Sequence, residues 1–396
     1  MINERRILTS ASLFHALNDG ATVAVPMVFP ILYAQHHIIG SYSQIGLLSN
    51  FGLLTTFLFQ ILVVHAARRV DYKAMLCLSF LGISLSLILI PLSQAYVSLF
   101  LFYILFRVFD SFYHTMGLAW VSRTHPRQGI DFAMGVQSGS GNLGVVLAFV
   151  SVGFLGQRFS WQLPLFVWSA GCFLLGLESY FLVRPVSFPA EDSDRLNFSS
   201  WLQTISQIRR YVVGFLFGGA SWSVTVYFAP SLLHHKFNIP MGQTGVYLAL
   251  WIGIGTVMTY LFGRLSRRFG RLAVFRAAFV GASLALLLIG LARRAGLAVI
   301  GLIVFGLFLF LIYPALQSFV GNAVSAKNQA QAFSFVSNLS LLSGALISLL
   351  AGVLSDSFGI SSPFLVMGLL GLGIFFYSAF SLARSSASRR TETMIS

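Results

Sequence analysis

Apolar residues along this chain fall in runs of about the length of a membrane-crossing helix, separated by short polar breaks. The runs occupy about 7–33, 44–64, 74–95, 97–121, 132–155, 161–182, 211–233, 244–263, 272–292, 296–320, 332–354 and 362–383. A hydrocarbon layer is crossed by about 20 apolar residues in a helix, so the pattern predicts an all-α polytopic chain of twelve transmembrane helices. The one long polar interval, 184–210, contains Glu191, Asp192 and Asp194 and leaves six runs on either side. The expected organisation is therefore a six-helix half over 1–183, a cytoplasmic linker over 184–210, and a second six-helix half over 211–396 that ends in a short cytoplasmic tail.

Composition sharpens this picture. Hydrophobic residues make up 57% of the chain and charged residues 9%, with a mean hydropathy of +0.82, whereas a soluble domain is about a quarter charged. A soluble protein is excluded. The net charge of +14 comes from short basic clusters between the apolar runs, without the continuous stripe that a nucleic-acid backbone needs, so no nucleic-acid partner is expected. Of the 25 lysines and arginines, 20 fall in segments on the same side as the N-terminus. The bias of basic residues toward the cytoplasm then places both termini inside, in the plasma or bacterial inner membrane. Cys77 and Cys172 lie within apolar runs, which offers neither a disulfide framework nor a thiolate metal site. The first run is broken by His15, Asn18 and Asp19, too polar for a signal-peptide core, and is expected to be retained as the first span.

Those interruptions are the candidate chemistry. His15 and Asp19 are four residues apart and share a helical face with Ser12 and Thr22, and span 4 carries Arg107, Asp110 and His114 on one face of its own. Each ionisable group at mid-bilayer costs about 2.5–3.5 kcal/mol on insertion scales, so five on two helices call for a use or for strong pairing. At 1.5 Å per residue, His15 and Asp19 lie roughly 12 and 18 Å from the cytoplasmic end of span 1, and His114 and Asp110 roughly 10 and 16 Å from the same side. The two faces match in depth. With neutral histidines the group carries one uncompensated negative charge, which a proton or a cationic substrate would neutralise, and its acids are expected to titrate as a coupled set. The same residues offer two imidazoles and two carboxylates to a divalent metal, but a fixed cation at Arg107 opposes one and no thiolate supports it, so no metal site is assigned.

The second half is almost free of charge within its spans. It offers Trp222, Tyr227, Trp251, Tyr313 and Gln317 instead, which with Asn18 and Tyr113 are expected to line a cavity suited to an organic solute with apolar area and a few hydrogen-bonding groups. Residues 139–144 read GSGNLG, a nucleotide-binding pattern in form only, because it lies inside a span with no preceding strand. Gly135, Gly139, Gly141, Gly144 and Ala148 are expected instead to let helices approach closely. No H-E-x-x-H or G-x-S-x-G group occurs, and no enzyme activity is expected.

The loop after span 2 reads HAARRVDYK (65–73) and the loop after span 8 reads GRLSRRFGR (263–271), at corresponding places in the two halves. Gly263, Arg268, Gly270 and Arg271 resemble the loop signature of the major facilitator superfamily. The first copy is degraded, keeping Arg68 and Arg69, and Arg68 and Arg267 stand where that family usually has an aspartate. These loop residues are expected to act in gating. SLFHALNDG (12–20) and FYHTMGLAWVSRTHPRQGIDFAMGVQSGSGNLG (112–144) are similar to the fosmidomycin-resistance branch of the superfamily, through His15, Asn18, Asp19, Tyr113, His114, Met134, Gly135, Ser138 and Gly139, with Thr115 where the branch has proline. The resemblance implies two pseudo-symmetric six-helix bundles, spans 1, 4, 7 and 10 around a central cavity, and alternating access. It implies a monomeric secondary transporter that exports a small molecule, driven by the proton gradient with no cofactor. Import of an organic acid or metal chelate, or transport of a divalent metal at His15, Asp19, Asp110 and His114, is the alternative.

The topology is testable. In a background lacking the native cysteines, Ser193→Cys and Ser388→Cys should react with a membrane-impermeant thiol reagent only after cells are opened, and Ser41→Cys in intact cells. Reaction at Ser193→Cys in intact cells would overturn the inside assignment.

Overall fold

The computed structural model describes residues 2–34, 38–66, 71–124, 130–182, 198–324 and 329–377. Twelve helices follow one another: α1 (Ile2–Ala34), α2 (Tyr42–Ala66), α3 (Tyr72–Leu89), α4 (Tyr96–Thr124), α5 (Ile130–Arg158), α6 (Gln162–Leu182), α7 (Phe198–Ser231), α8 (Met241–Phe269), α9 (Arg271–Leu291), α10 (Ala295–Ala323), α11 (Gln329–Phe358) and α12 (Ser362–Tyr377). Among the described residues, ten helices are long and apolar enough to cross a membrane, and α6 and α12 add shorter apolar segments. Helices are the form an isolated segment takes in hydrocarbon, since each satisfies its own backbone hydrogen bonds. The outer surface is apolar, with Leu58, Leu62, Phe154, Leu174 and Phe181 exposed, while Asn18, Arg107, Asp110 and Gln137 are buried. The polar chemistry thus lies inside the helix bundle.

Helix packing repeats with a period of six. In the first half α1 packs on α4 and α5, and α4 on α2 and α3; in the second α7 packs on α10 and α11, and α10 on α8 and α9. The halves meet through α2 against α11 and α5 against α8, pairs related by the same six-helix shift, with α1 touching α7 between them. Glycines permit both meetings. A Cβ on Gly46 would lie 2.6 Å from the Ser348 carbonyl oxygen, and one on Gly153 would lie 2.5 Å from that of Met241, so a side chain at either position would prise the halves apart.

One element boundary differs markedly from the hydropathy pattern. α7 begins at Phe198, so 198–210 is helical and continuous with the span rather than part of a linker loop. Trp201, Leu202, Ile205 and Ile208 recur at helical spacing among serines, glutamines and arginines there, an amphipathic turn that a hydropathy average discounts. α4 runs unbroken through Thr115, as a residue with a backbone N–H allows where proline would not.

Let the near end of the bundle be the one where α1 begins. At the opposite, far end the halves are joined by hydrogen bonds. Asp356 of α11 accepts from the backbone N–H groups of Tyr42 and Ser43, both at 2.8 Å, and from the Ser43 hydroxyl, so a carboxylate of one half caps the N-terminus of α2 in the other. Deeper in, Asn50 donates to the Ala345 carbonyl at 2.9 Å, the Ser223 hydroxyl lies 3.4 Å from that of Ser49 and 2.5 Å from that of Ser348, and the Tyr103 and Tyr227 hydroxyls are 2.7 Å apart. Asp356→Asn should weaken the cap, because an amide offers the helix N-terminus no net negative charge. The reaction of Ser231→Cys, buried at the far end of α7, with a thiol reagent should then speed up several-fold. An unchanged rate would show that Asp356 does not hold this end shut.

Candidate functional site

The ionisable residues of α1 and α4 meet, but as two groups rather than one. Arg107 and Asp110, one helical turn apart on α4, form an ion pair with Nη1 2.8 Å from Oδ2 and side chains only 3% exposed. The Thr22 hydroxyl of α1 donates to Asp110 Oδ1 at 2.5 Å, and Arg107 Nε reaches the Gly52 carbonyl of α2 at 3.4 Å. This pair balances its own charge and is shut away from solvent.

Asp19 is held separately by two histidines. His15 Nε2 lies 3.0 Å from Asp19 Oδ2, and His114 Nε2 of α4 lies 3.4 Å from Asp19 Oδ1. The side chains of Asp19 and His114 are 20% and 43% exposed, against 3% for each member of the arginine pair. The histidine rings sit edge-on, 5.5 Å apart. Tyr113 backs the site: its ring stacks on His15 at 4.8 Å, its hydroxyl donates to the Ala11 carbonyl at 2.8 Å, and it accepts from Gln137 Nε2 at 2.6 Å.

His15 is oriented by α5. Its Nδ1 lies 2.7 Å from the Gln137 backbone carbonyl, an oxygen that only accepts, so Nδ1 carries a hydrogen. In a neutral imidazole Nε2 then holds a bare lone pair, yet it faces a carboxylate oxygen that, when ionised, also only accepts. The 3.0 Å contact is attractive only if a further proton sits on Nε2 or on Asp19, or if a cation takes its place. Space for this arrangement comes from Gly141 of α5, where a Cβ would lie 2.6 Å from Asp19 Oδ2 and 2.7 Å from His15 Nε2.

The other predicted positions separate into distinct places. Asn18 and Tyr113 are fully buried in the helix packing around the cluster. Tyr227 belongs to the far-end contact with Tyr103. Trp222 packs on Trp251 at 5.1 Å and on Phe310 at 5.9 Å, which makes an aromatic wall in the second half. Tyr313, one turn on from Phe310 along α10, is partly exposed, and Gln317 is exposed. Of the loop residues, Arg68 and Arg69 lie outside the described residues. Gly263, Arg267 and Arg268 are helical, within the last turns of α8. Gly270 alone turns the chain into α9 at φ 86°, a conformation that favours glycine, and Arg271 donates to the Ser318 hydroxyl at 2.7 Å. Sequence reasoning missed Gln137, whose contribution is a backbone carbonyl that any residue type supplies. It also assigned Gly141 to helix packing alone, although a glycine facing a histidine and a carboxylate on the neighbouring helix has this second use.

Comparison with known proteins places this geometry in a family. Multidrug resistance protein MdtG of Klebsiella pneumoniae is 23% identical over 389 residues, covering 93% of this chain and 92% of that protein. The uncharacterised transporter YcaD of Escherichia coli is 27% identical over 198 residues, a match that spans 48% of this chain and 50% of YcaD. Among solved structures, a bacterial homologue of the human lysosomal transporter Spinster, in an inward-facing and unoccupied conformation, superposes with a TM-score of 0.79 at 15% identity, covering 96% of this chain and 98% of that one. The nucleoside transporter NupG, as a D323A mutant, does so with a TM-score of 0.78 at 14% identity, covering 94% and 98%. Identities this low carry the fold alone, and the fold is the twelve-helix one that the hydropathy pattern predicts. The family model described as Major Facilitator Superfamily matches residues 11–348, and the chain belongs to that superfamily of membrane transporters.

Proposed function

We propose that the protein is a proton-coupled transporter that exports a small organic solute across the bacterial inner membrane by alternating access, with Asp19, His15 and His114 as the proton-carrying group. The observation that carries the reading is the contact of His15 Nε2 with Asp19, which requires a proton, or a cation in its place, between two groups that otherwise both accept. A group that must hold a proton in one state and release it in another is what coupling to a proton gradient needs, and imidazole titrates in the physiological range. Arg107 and Asp110 have another role in this scheme: satisfied and buried, they anchor α4 to α1 and leave Asp19 as the acid free to change state. Access comes from the near end, since the far end is held by the Asp356 cap and the tyrosine pair. The basic clusters at the near end make that side cytoplasmic. The partly exposed rings of Trp222 and Phe310, backed by the buried Trp251, would supply apolar contact for an organic substrate. Export is favoured by the likeness to MdtG, named as a multidrug resistance protein, and by the resemblance to the fosmidomycin-resistance branch.

Two isosteric substitutions separate the acids. Asp19→Asn should abolish transport driven by a pH gradient while substrate exchange across the membrane persists, because the amide fixes the uncharged form. Asp110→Asn leaves Arg107 buried without its counter-charge, at a cost of about 3–5 kcal/mol, and should lower the yield and melting temperature of the folded protein. Wild-type gradient-driven transport by Asp19→Asn in proteoliposomes would remove Asp19 from the coupling step. Gly141→Ala, which pushes a methyl group between His15 and Asp19, should slow coupled transport at least several-fold while the protein remains folded.

A further inference from the structure

We infer that His15, Asp19 and His114 form a binding site for a divalent transition-metal ion of the zinc class, taken up in exchange for the proton that otherwise occupies the cluster. The inference rests on the coupling reading above and names the ion that competes with the proton. The three side chains offer two imidazole nitrogens and a carboxylate oxygen, all within 4.8 Å of one another. Zinc binds such atoms at about 2.0–2.2 Å in a tetrahedron, and three protein ligands with one open position are typical of sites whose fourth ligand exchanges. The contacts of 3.0 and 3.4 Å between Asp19 and the two histidines are close to the ligand-to-ligand spacing of such a tetrahedron.

A second, independent observation points the same way. His15 gives its Nδ1 hydrogen to the Gln137 carbonyl, the arrangement that fixes the tautomer of a metal-bound histidine and turns Nε2 toward the ion. Gly141 leaves the adjoining space open, where a Cβ would crowd both Asp19 Oδ2 and His15 Nε2. The objection from Arg107 falls, because its guanidinium is in contact with Asp110 at 2.8 Å, which offsets its charge. The pairing also removes Asp110 from the ligand set that the sequence suggested. One carboxylate and two neutral imidazoles leave a bound divalent ion with one net positive charge. That suits an ion held transiently, with its open position taken by water or by an anionic group of a chelating solute.

The test uses the full-length protein, purified with any polyhistidine tag removed, with Co²⁺ and Zn²⁺ as probes. Co²⁺ should give the visible absorption of a four-coordinate site, Zn²⁺ should displace it at one ion per chain, and calorimetry in buffers of different ionisation enthalpy should show proton release on binding. His114→Gln should weaken Zn²⁺ binding at least tenfold, and His114→Cys, which restores a soft ligand, should recover part of it. Asp19→Asn provides an independent loss should the His114 variants fold poorly. Absence of saturable binding at pH 8, or binding unchanged in both His114→Gln and Asp19→Asn, would overturn the metal site. Gradient-driven transport measured with a strong chelator present reports on the coupling reading separately: its persistence without metal binding rejects only the metal, and metal binding without any proton movement rejects the exchange.

Discussion

The arrangement depends on how one arginine is kept inside a membrane. A guanidinium this deeply buried is tolerable only with a counter-charge in contact, and Asp110, one turn away on the same helix, supplies it at 2.8 Å while accepting from Thr22 of α1. The consequence reaches beyond the pair. With Arg107 and Asp110 neutralising each other, the remaining acid, Asp19, has no fixed cation in contact and meets the two histidines instead. A charge-balanced pair and a carboxylate flanked by histidines thus sit side by side, joined by α1 and α4.

The two halves share a fold but divide the work. The first half holds the ionisable residues of the candidate site, and the second holds the aromatic group of Trp222, Trp251 and Phe310. Close approach at Gly46 against α11 and at Gly153 against α8 brings the halves together without bulky interdigitation. Interfaces of this kind separate at modest cost, since few large side chains need to repack. The far end adds polar contacts that break and form discretely, Asp356 on the N-terminus of α2 foremost. The loop signature at the near end is short of its usual aspartates, so the carboxylate that caps a helix across the halves acts at the opposite end from the one the family signature suggests.

On the proposed reading, a proton and a metal ion would answer the same electrostatic demand. One side-chain nitrogen or oxygen from each of His15, His114 and Asp19 converges there, and the carbonyl of Gln137 prevents His15 from turning its hydrogen-bearing nitrogen inward. Whatever enters must be positive. With the cluster empty, the His15 lone pair faces the Asp19 carboxylate, the imbalance on which the proposed transport cycle would draw.

The sequence by itself determined the helix count and the identity of the five ionisable side chains, because hydropathy and helical periodicity are local properties that the bilayer enforces residue by residue. Matching depths on α1 and α4 were legible for the same reason. Whether Asp19 also joins the arginine was not, since Asp19 and Asp110 are equivalent in charge and nearly so in depth; Asp110 reaches Arg107 within its own helix, and only the rotation of α4 against α1 turns Asp19 to the histidines instead. Gln137 and Gly141 entered the site through a backbone carbonyl and through missing volume, neither of which residue chemistry signals. The start of α7 was misplaced because its first turns are amphipathic, and the Asp356 cap was hidden because it joins residues 314 positions apart. Contacts between distant segments are set by how whole helices cross, and that is decided by the packing of the complete bundle.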